Sequence, residues 1–78
     1  MKTISIAPWN VKDSDKIRLD DCGFLRYFPI LKIVKRKCDL CPGYAWRFYY
    51  MSNNHEKFIS VYGRAGRLKA EKISVARE

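Results

Sequence analysis

Three cysteines and one histidine are the residues of this chain with the most distinctive chemistry. Cys38 and Cys41 form a C-x-x-C pair in a turn that continues into Pro-Gly. Two thiolates at this spacing can bind one tetrahedral metal ion, as in a zinc knuckle. A second pair of ligands is required, and Cys22, which precedes a glycine, and His55 are the other cysteine and histidine of the chain. The sequence therefore permits a Cys3His zinc site formed by Cys22, Cys38, Cys41 and His55.

The same cysteines have two other interpretations, namely reduced thiols without metal and redox or disulfide chemistry. Zinc ribbons carry two ligand pairs, each with a fixed short spacing, and this chain has one such pair. A thioredoxin-type motif lies between a strand and a helix, whereas strands are expected on both sides of Cys38 and Cys41. We expect no bound cofactor, and zinc stays open as the alternative.

The sequence contains no recognisable catalytic arrangement. His55 is the only histidine, and it lies in a polar turn. A glycine-rich phosphate loop, a nucleophile elbow and an H-E-x-x-H motif are all missing from the sequence. We therefore expect a binding protein and not an enzyme.

The net charge of +8 is distributed unevenly. Up to Gly23 the cations and the carboxylates cancel, so the whole excess lies downstream of that residue. A basic domain attracts nucleic acid, acidic protein surfaces and anionic membranes. The 78 residues predict a single small domain over 1–78. Because no apolar run approaches the ~20 residues of a membrane span and the N-terminus has no long apolar segment, we expect a cytoplasmic protein with reduced thiols.

Strands are the elements that must position these residues, and the most pronounced one is the aromatic-rich segment 44–51. Alternation places one half of its side chains on one face and the other half on the opposite face. The first set is Tyr44, Trp46, Phe48 and Tyr50, and the second is Ala45, Arg47, Tyr49 and Met51. Neither set is fully polar, so we expect a central strand with a core side and a partly covered or ligand-facing side.

Further strands are predicted at 3–7, at a sheet edge, at 16–19 and at 57–62. Segment 24–37 is expected to be one long strand with a bend at Pro29, and to supply much of the core through Phe24, Leu25, Tyr27, Phe28, Ile30, Leu31, Ile33 and Val34. Tight turns at 38–43 and 52–56 predict two hairpins. The tail 67–77 is compatible with helix or strand, and its composition favours helix. The fold class is therefore mainly β or α+β, as a small antiparallel sheet or half-barrel of four to five strands with a possible C-terminal helix.

Cations and aromatic residues alternate along the predicted strands. Arg47 with Tyr49, and Lys57, lie on neighbouring strands, and further cations flank them at Lys35, Arg36, Lys37, Arg64, Arg67 and Lys69. Cations that follow a phosphate backbone and aromatic rings that stack on bases are the means by which small β modules bind nucleic acid. These nine residues are the predicted nucleic-acid or partner-binding site.

The segment "YAWRFYYMSNNHEKFISVYGRAGRLKAEKI", from Tyr44 onward, resembles the AP2-like, arm-binding domain of tyrosine integrases. The resemblance rests on the order of an aromatic strand, an Asn-bearing turn, a Lys-bearing strand, a small-residue turn and a possible helix. It implies a three-stranded sheet in the DNA major groove, with Arg47, Tyr49, Lys57 and Arg64 at groove-facing positions. The C-x-x-C turn and the first 23 residues have no place in that family's pattern.

A second class of function fits the same composition. Small aromatic-rich chains without catalytic motifs also occur as inhibitors or adaptors that phages and other mobile elements encode against host enzymes. Such a protein would use exposed tyrosine, tryptophan and arginine as anchors in a protein interface. The sequence therefore leaves two partners open, nucleic acid or a host protein with an acidic surface, and does not determine an oligomeric state.

Overall fold

The computed structural model describes residues 2–37, 43–63 and 70–77. Within these ranges the chain is built almost entirely of strands, which confirms the mainly β class. The elements in order are β1 (Lys2–Ile6), a 3-10 helix (Pro8–Asn10), β2 (Lys16–Asp21), β3 (Phe24–Pro29), β4 (Lys32–Lys37), β5 (Tyr44–Ser52), β6 (His55–Gly63) and β7 (Ile73–Arg77). No helix among the described residues is long and apolar enough to cross a membrane.

The first sheet has the strand order β1-β7-β2-β3, and all its pairs are antiparallel. β1 lies at its edge, as predicted. β2 and β3 form a hairpin of six residue pairs, but β7 pairs with this hairpin only at Lys16 and Ile17. The distal half of the hairpin therefore extends beyond β7. Its two-residue turn places Cys22 and Gly23 at positive φ, +54° and +87°, as a primed hairpin turn requires.

The second sheet has the order β4-β5-β6, with the aromatic strand β5 in the middle as predicted. β5 and β6 form a regular hairpin of nine pairs from Tyr44↔Gly63 to Ser52↔His55. The turn between them consists of Asn53 and Asn54, both at positive φ, 52° and 64°. Asparagine tolerates this left-handed conformation better than most residues, so the predicted turn is confirmed.

The expectation of one long core strand over 24–37 is wrong. The chain leaves the first sheet after Pro29 and enters the second at Lys32, so the segment forms two strands in different sheets. Many of its apolar side chains face solvent, since Phe24 and Leu25 are 69% and 62% exposed at the projecting hairpin tip. Tyr27 and Leu31 are also exposed, and the residues from this segment that pack against the core are Ile30 and Ile33.

The hydrophobic core takes its residues from both sheets. Ile17, Ile73 and Val75 come from the first sheet and Trp46, Phe48 and Val61 from the second. Trp46 and Phe48 are the inward half of the alternating β5 pattern, which the sequence predicted. Trp9 packs its ring 5.8 Å from that of Trp46 and so covers one end of this core.

The helix favoured for the C-terminal tail is wrong for the part of it that forms β7. Ile73, Val75 and Ala76 are buried in that strand, between β1 and β2. Intrinsic propensity is a weak preference, and burial between two strands overrides it here. Residues 70–72, which precede β7, are not helical either, and positions 67–69 of the predicted helix lie outside the described residues.

A buried ion pair fixes the end of β7 to the loop before β2. Arg77 donates from Nε and Nη2 to the two carboxylate oxygens of Asp15, at 2.9 and 2.7 Å, and the Lys12 backbone N–H donates to Asp15 Oδ2 at 2.9 Å. Asp15 is 1% exposed. The hydrogen bonds from Arg77, followed by that from Lys12, lower the pKa of Asp15 against the opposing effect of burial.

Candidate binding face

The second sheet turns one of its two faces to the core and the other away from it. The pairing register aligns the side chains of the outward face in three rows across β4, β5 and β6. We call this set the outer face, and its members are Lys32, Val34 and Arg36 on β4, Ala45, Arg47, Tyr49 and Met51 on β5, and Glu56, Phe58, Ser60 and Tyr62 on β6. The opposite, inner face carries the core residues Trp46, Phe48 and Val61.

Two aromatic rings stand prominently on the outer face. Phe58 is 49% exposed and Tyr62 is 48% exposed, both on strand β6. They are four residues apart on one face of the strand, a separation of about 14 Å at ~3.4 Å per residue. Large exposed apolar side chains grouped on one face of a small domain are typical of an interaction site.

Cations lie directly against the aromatic rings of this face. Lys32 Nζ is 4.5 Å from the ring centroid of Tyr49, and the Arg47 guanidinium carbon is 4.8 Å from that of Phe58. The rings of Tyr49 and Phe58 are 5.4 Å apart at an angle of 43°. Such contacts orient each cation over a ring face and are worth about 0.5–1 kcal/mol at exposed sites. They hold Lys32 and Arg47 in defined positions on the sheet.

The charge of the outer face is strongly positive. Three cations, Lys32, Arg36 and Arg47, belong to it, whereas its one carboxylate, Glu56, lies in the marginal row opposite Met51. No ion pair within the described residues involves any of these three cations. The face can therefore attract a polyanion and offer it exposed rings at the same time.

Two predicted site residues on β4 point to the other side of the sheet. Lys35 and Lys37 alternate with Arg36, so they share the inner side with Trp46 and Tyr44, and Lys35 Nζ is 4.1 Å from the Tyr44 ring centroid. The run of three cations is thus divided between two faces because successive side chains of a strand alternate.

Lys57 was predicted beside Arg47 and Tyr49, and this grouping is wrong. The register pairs Lys57 with Tyr50, whose side chain is on the inner face. The predicted residues that the structure does bring together are Arg36, Arg47 and Tyr49. Arg64, Arg67 and Lys69 lie outside the described residues.

The cysteine and histidine positions give no assembled metal site in the described part of the chain. Cys22 is a free, exposed residue in the β2–β3 turn, and His55 is exposed at the start of β6 in the other sheet. Cys38 and Cys41 lie outside the described residues. No cluster of three potential metal ligands occurs within residues 2–37, 43–63 and 70–77. The zinc site stays a prediction.

Sequence reasoning missed three members of the outer face, namely Lys32, Phe58 and Tyr62. The signal for the two rings was present in the turn. A two-residue turn at Asn53 and Asn54 fixes the β5–β6 register, and that register places Phe58 directly opposite Tyr49. Lys32 could be found in the same way only with the β4–β5 register, which the sequence between those two strands did not specify.

Comparison with known proteins adds no relative to this description. A scan against family models found no match, and neither did searches of curated proteins and of solved structures. The case for a function therefore rests on the outer face and on the general chemistry of its side chains.

Proposed function

We propose that this protein binds nucleic acid through the outer face of its three-stranded sheet. The observation that supports this is the register itself, which gathers three cations and the rings of Tyr49, Phe58 and Tyr62 on one side of the sheet. The cations can neutralise phosphates, and the rings can contact sugars or bases. The proposal keeps the three-stranded sheet as the contact surface, as the integrase-domain resemblance implies, with Arg47 and Tyr49 in it and Lys57 removed, but it does not require the major groove of a duplex.

The role proposed is binding without catalysis, by a cytoplasmic protein that needs no metal. On the described residues, the outer face has cations, rings and one marginal carboxylate, and it lacks the paired acid and base that general acid–base chemistry uses. Elemental analysis of protein purified without chelator tests the metal part. One equivalent of zinc that disappears in the Cys38→Ser and Cys41→Ser variants would contradict it.

The salt dependence of affinity tests the nucleic-acid proposal directly. Each phosphate that the protein neutralises releases condensed counterions, so log affinity falls with log salt by about 0.7 per contact for single strands and 0.9 for duplex. Three contacts from Lys32, Arg36 and Arg47 predict a slope of about −2 to −3. Fluorescence anisotropy with labelled oligonucleotides between 50 and 300 mM salt, about the range in which such slopes are read, measures it.

Two matched charge variants give this experiment its control. Arg47→Ala should make the slope shallower by about one contact. Lys57→Ala removes the same charge from the neighbouring strand, but from the inner side of the sheet, and should leave the slope unchanged. Equal effects of the two substitutions would mean that the net charge of the protein, and not the outer face, attracts the ligand. In that case the proposed site is wrong.

A protein partner is the second candidate function, as an inhibitor or adaptor acting on a host enzyme. It is favoured by the projecting β2–β3 hairpin, whose tip exposes Phe24 and Leu25 on the first sheet, whereas the outer face belongs to the second. A pull-down from lysate at ~150 mM salt, with and without nuclease, separates the two functions. A stoichiometric, nuclease-resistant partner that is lost in Leu25→Lys but retained in Arg47→Ala would replace the nucleic-acid proposal.

A further inference from the structure

We infer that the outer face selects unpaired bases, with Phe58 and Tyr62 as two stacking platforms. This inference rests on the nucleic-acid binding proposed above and specifies its ligand as a single strand. Both rings are about half exposed, which leaves one side of each available to a base. A base–ring stack removes apolar surface of both partners from water and tolerates any base, because every base has a π face.

Exposure, and not the contacts alone, separates the available rings from the covered one. Tyr49, the aromatic residue predicted from the sequence, is only partly exposed, with Lys32 Nζ over its ring and Phe58 packed against it, whereas Phe58 is 49% exposed. Phe58 is supported on one side by Tyr49 and Arg47, which brace it from strand β5. A braced ring loses little freedom when a ligand binds, so binding costs less conformational entropy. Phe58 is therefore the better platform, and Tyr49 supports it.

The cations of the outer face and its two platforms lie on different strands. Lys32 and Arg36 lie on β4, Arg47 lies on β5, and the two platforms lie on β6. The two outer strands are about 10 Å apart, twice the spacing of ~4.8 Å between neighbours. A single strand that runs along the sheet can thus place its phosphates toward β4 and β5 while its bases turn toward β6.

A duplex cannot use the same arrangement. Its bases are stacked within the helix and present only their edges in the grooves. The rings of Phe58 and Tyr62 would then meet sugar and phosphate, and their exposed apolar surface would gain no stacking partner. The cations would still contact a duplex, so the expected behaviour is weak duplex binding through charge and stronger single-strand binding through charge and stacking together.

The test compares a 12-nucleotide oligouridine, a matching oligothymidine and a DNA duplex of the same length by anisotropy at one fixed salt concentration. Phe58→Leu and Tyr62→Leu retain an apolar side chain but remove the π face. Each should weaken single-strand binding by about 5-fold or more and leave duplex affinity within about 2-fold. Neither should change the salt slope, since neither removes a charge. Phe24→Leu, at a still more exposed ring of the other sheet, is the control and should change nothing.

A measurement on the unaltered chain keeps the inference testable if a variant folds poorly. Photo-crosslinking to an oligonucleotide that carries 5-iodouracil should label the tryptic peptide 58–64, because cleavage after Lys57 and Arg64 leaves both platforms in one fragment. Crosslinks confined to other peptides would overturn the inference.

The outcomes separate this inference from the function on which it rests. Absence of any salt-dependent binding would remove the nucleic-acid proposal and the inference together. Binding that depends on Arg47 but is equal for duplex and single strand, and is insensitive to Phe58→Leu and Tyr62→Leu, would keep the function and refute base stacking.

Discussion

Two phenylalanines on neighbouring strands offer a direct test of which face of the second sheet is the core. Phe48 on β5 is fully buried, whereas Phe58 on β6 is 49% exposed on the outer face. The same substitution, Phe→Ala, can be made at both positions. We expect Phe48→Ala to destabilise the protein far more than Phe58→Ala, because only the first creates a cavity between the two sheets.

The magnitudes follow from burial. Removing a buried phenylalanine ring costs about 3–5 kcal/mol, as lost transfer energy and a residual cavity. A fully buried phenylalanine gains about 1.5–3 kcal/mol from leaving water, so a half-exposed one such as Phe58 gains about 1–1.5 kcal/mol and leaves no cavity. A domain of this size is stable by about 4–12 kcal/mol in total. Phe48→Ala thus removes a large share of the free energy of unfolding, and Phe58→Ala a small one.

Thermal and urea unfolding followed by tryptophan fluorescence measures both losses, since Trp46 is in the same core. With about 4–8 °C per kcal/mol for a domain of this size, Tm should fall by about 12–40 °C in Phe48→Ala and by about 4–12 °C in Phe58→Ala. Equal losses in the two variants would refute the division into an inner and an outer face. The binding face proposed on that division would then be wrong as well.

Substitutions at three further positions test local features of the fold. Hydrogen bonds from Arg77 lower the pKa of Asp15 in the folded state, so the stability that this carboxylate contributes is present above about pH 4 and is lost as the pH falls through the lowered pKa. Asp15→Asn should therefore flatten the acid side of the curve of unfolding free energy against pH, as measured by urea unfolding. Gly63→Ala places a Cβ 3.0 Å from that of Ala70 and should cost about 1–2 kcal/mol by overpacking, and an unchanged Tm would contradict this contact. Asn54→Ala, at φ 64°, should cost about 1 kcal/mol and Asn54→Gly nothing, as denaturant midpoints would show.

The parts of the fold that sequence predicted are those governed by local pattern. Alternation identified the two faces of β5, and turn-forming residues identified the turn that joins β5 to β6. The parts that were predicted wrongly are those whose burial depends on which strands lie next to them. Phe24 and Leu25 were predicted to be core residues because they are apolar, yet they lie beyond the part of β2 that pairs with β7 and are exposed. Similarly, the local pattern around Ile73 and Val75 is compatible with helix and with strand, and long-range pairing with β1 and β2 decides for the strand.

The candidate site shows the same division. Arg47 and Tyr49 were placed correctly on one face because a single strand's alternation determines them. Lys57 was misplaced because its face depends on the register between two strands, and a shift of one residue exchanges the faces. The two-residue turn at Asn53 and Asn54 determines that register, and counting residues outward from the turn would have placed Lys57 opposite Tyr50.

The outer face also explains how a chain this short can carry exposed aromatic rings. A domain of this size has one core, and the inner halves of β5 and β6 already supply Trp46, Phe48 and Val61 to it. Rings on the outer face therefore contribute little stability, while exposed apolar surface promotes association between molecules. Arg47 over Phe58 reduces that tendency by covering part of the ring with a charged group. On the proposed function, the same cation would bind a phosphate while a base covers the rest of the ring, so one contact would serve both the unbound and the bound face.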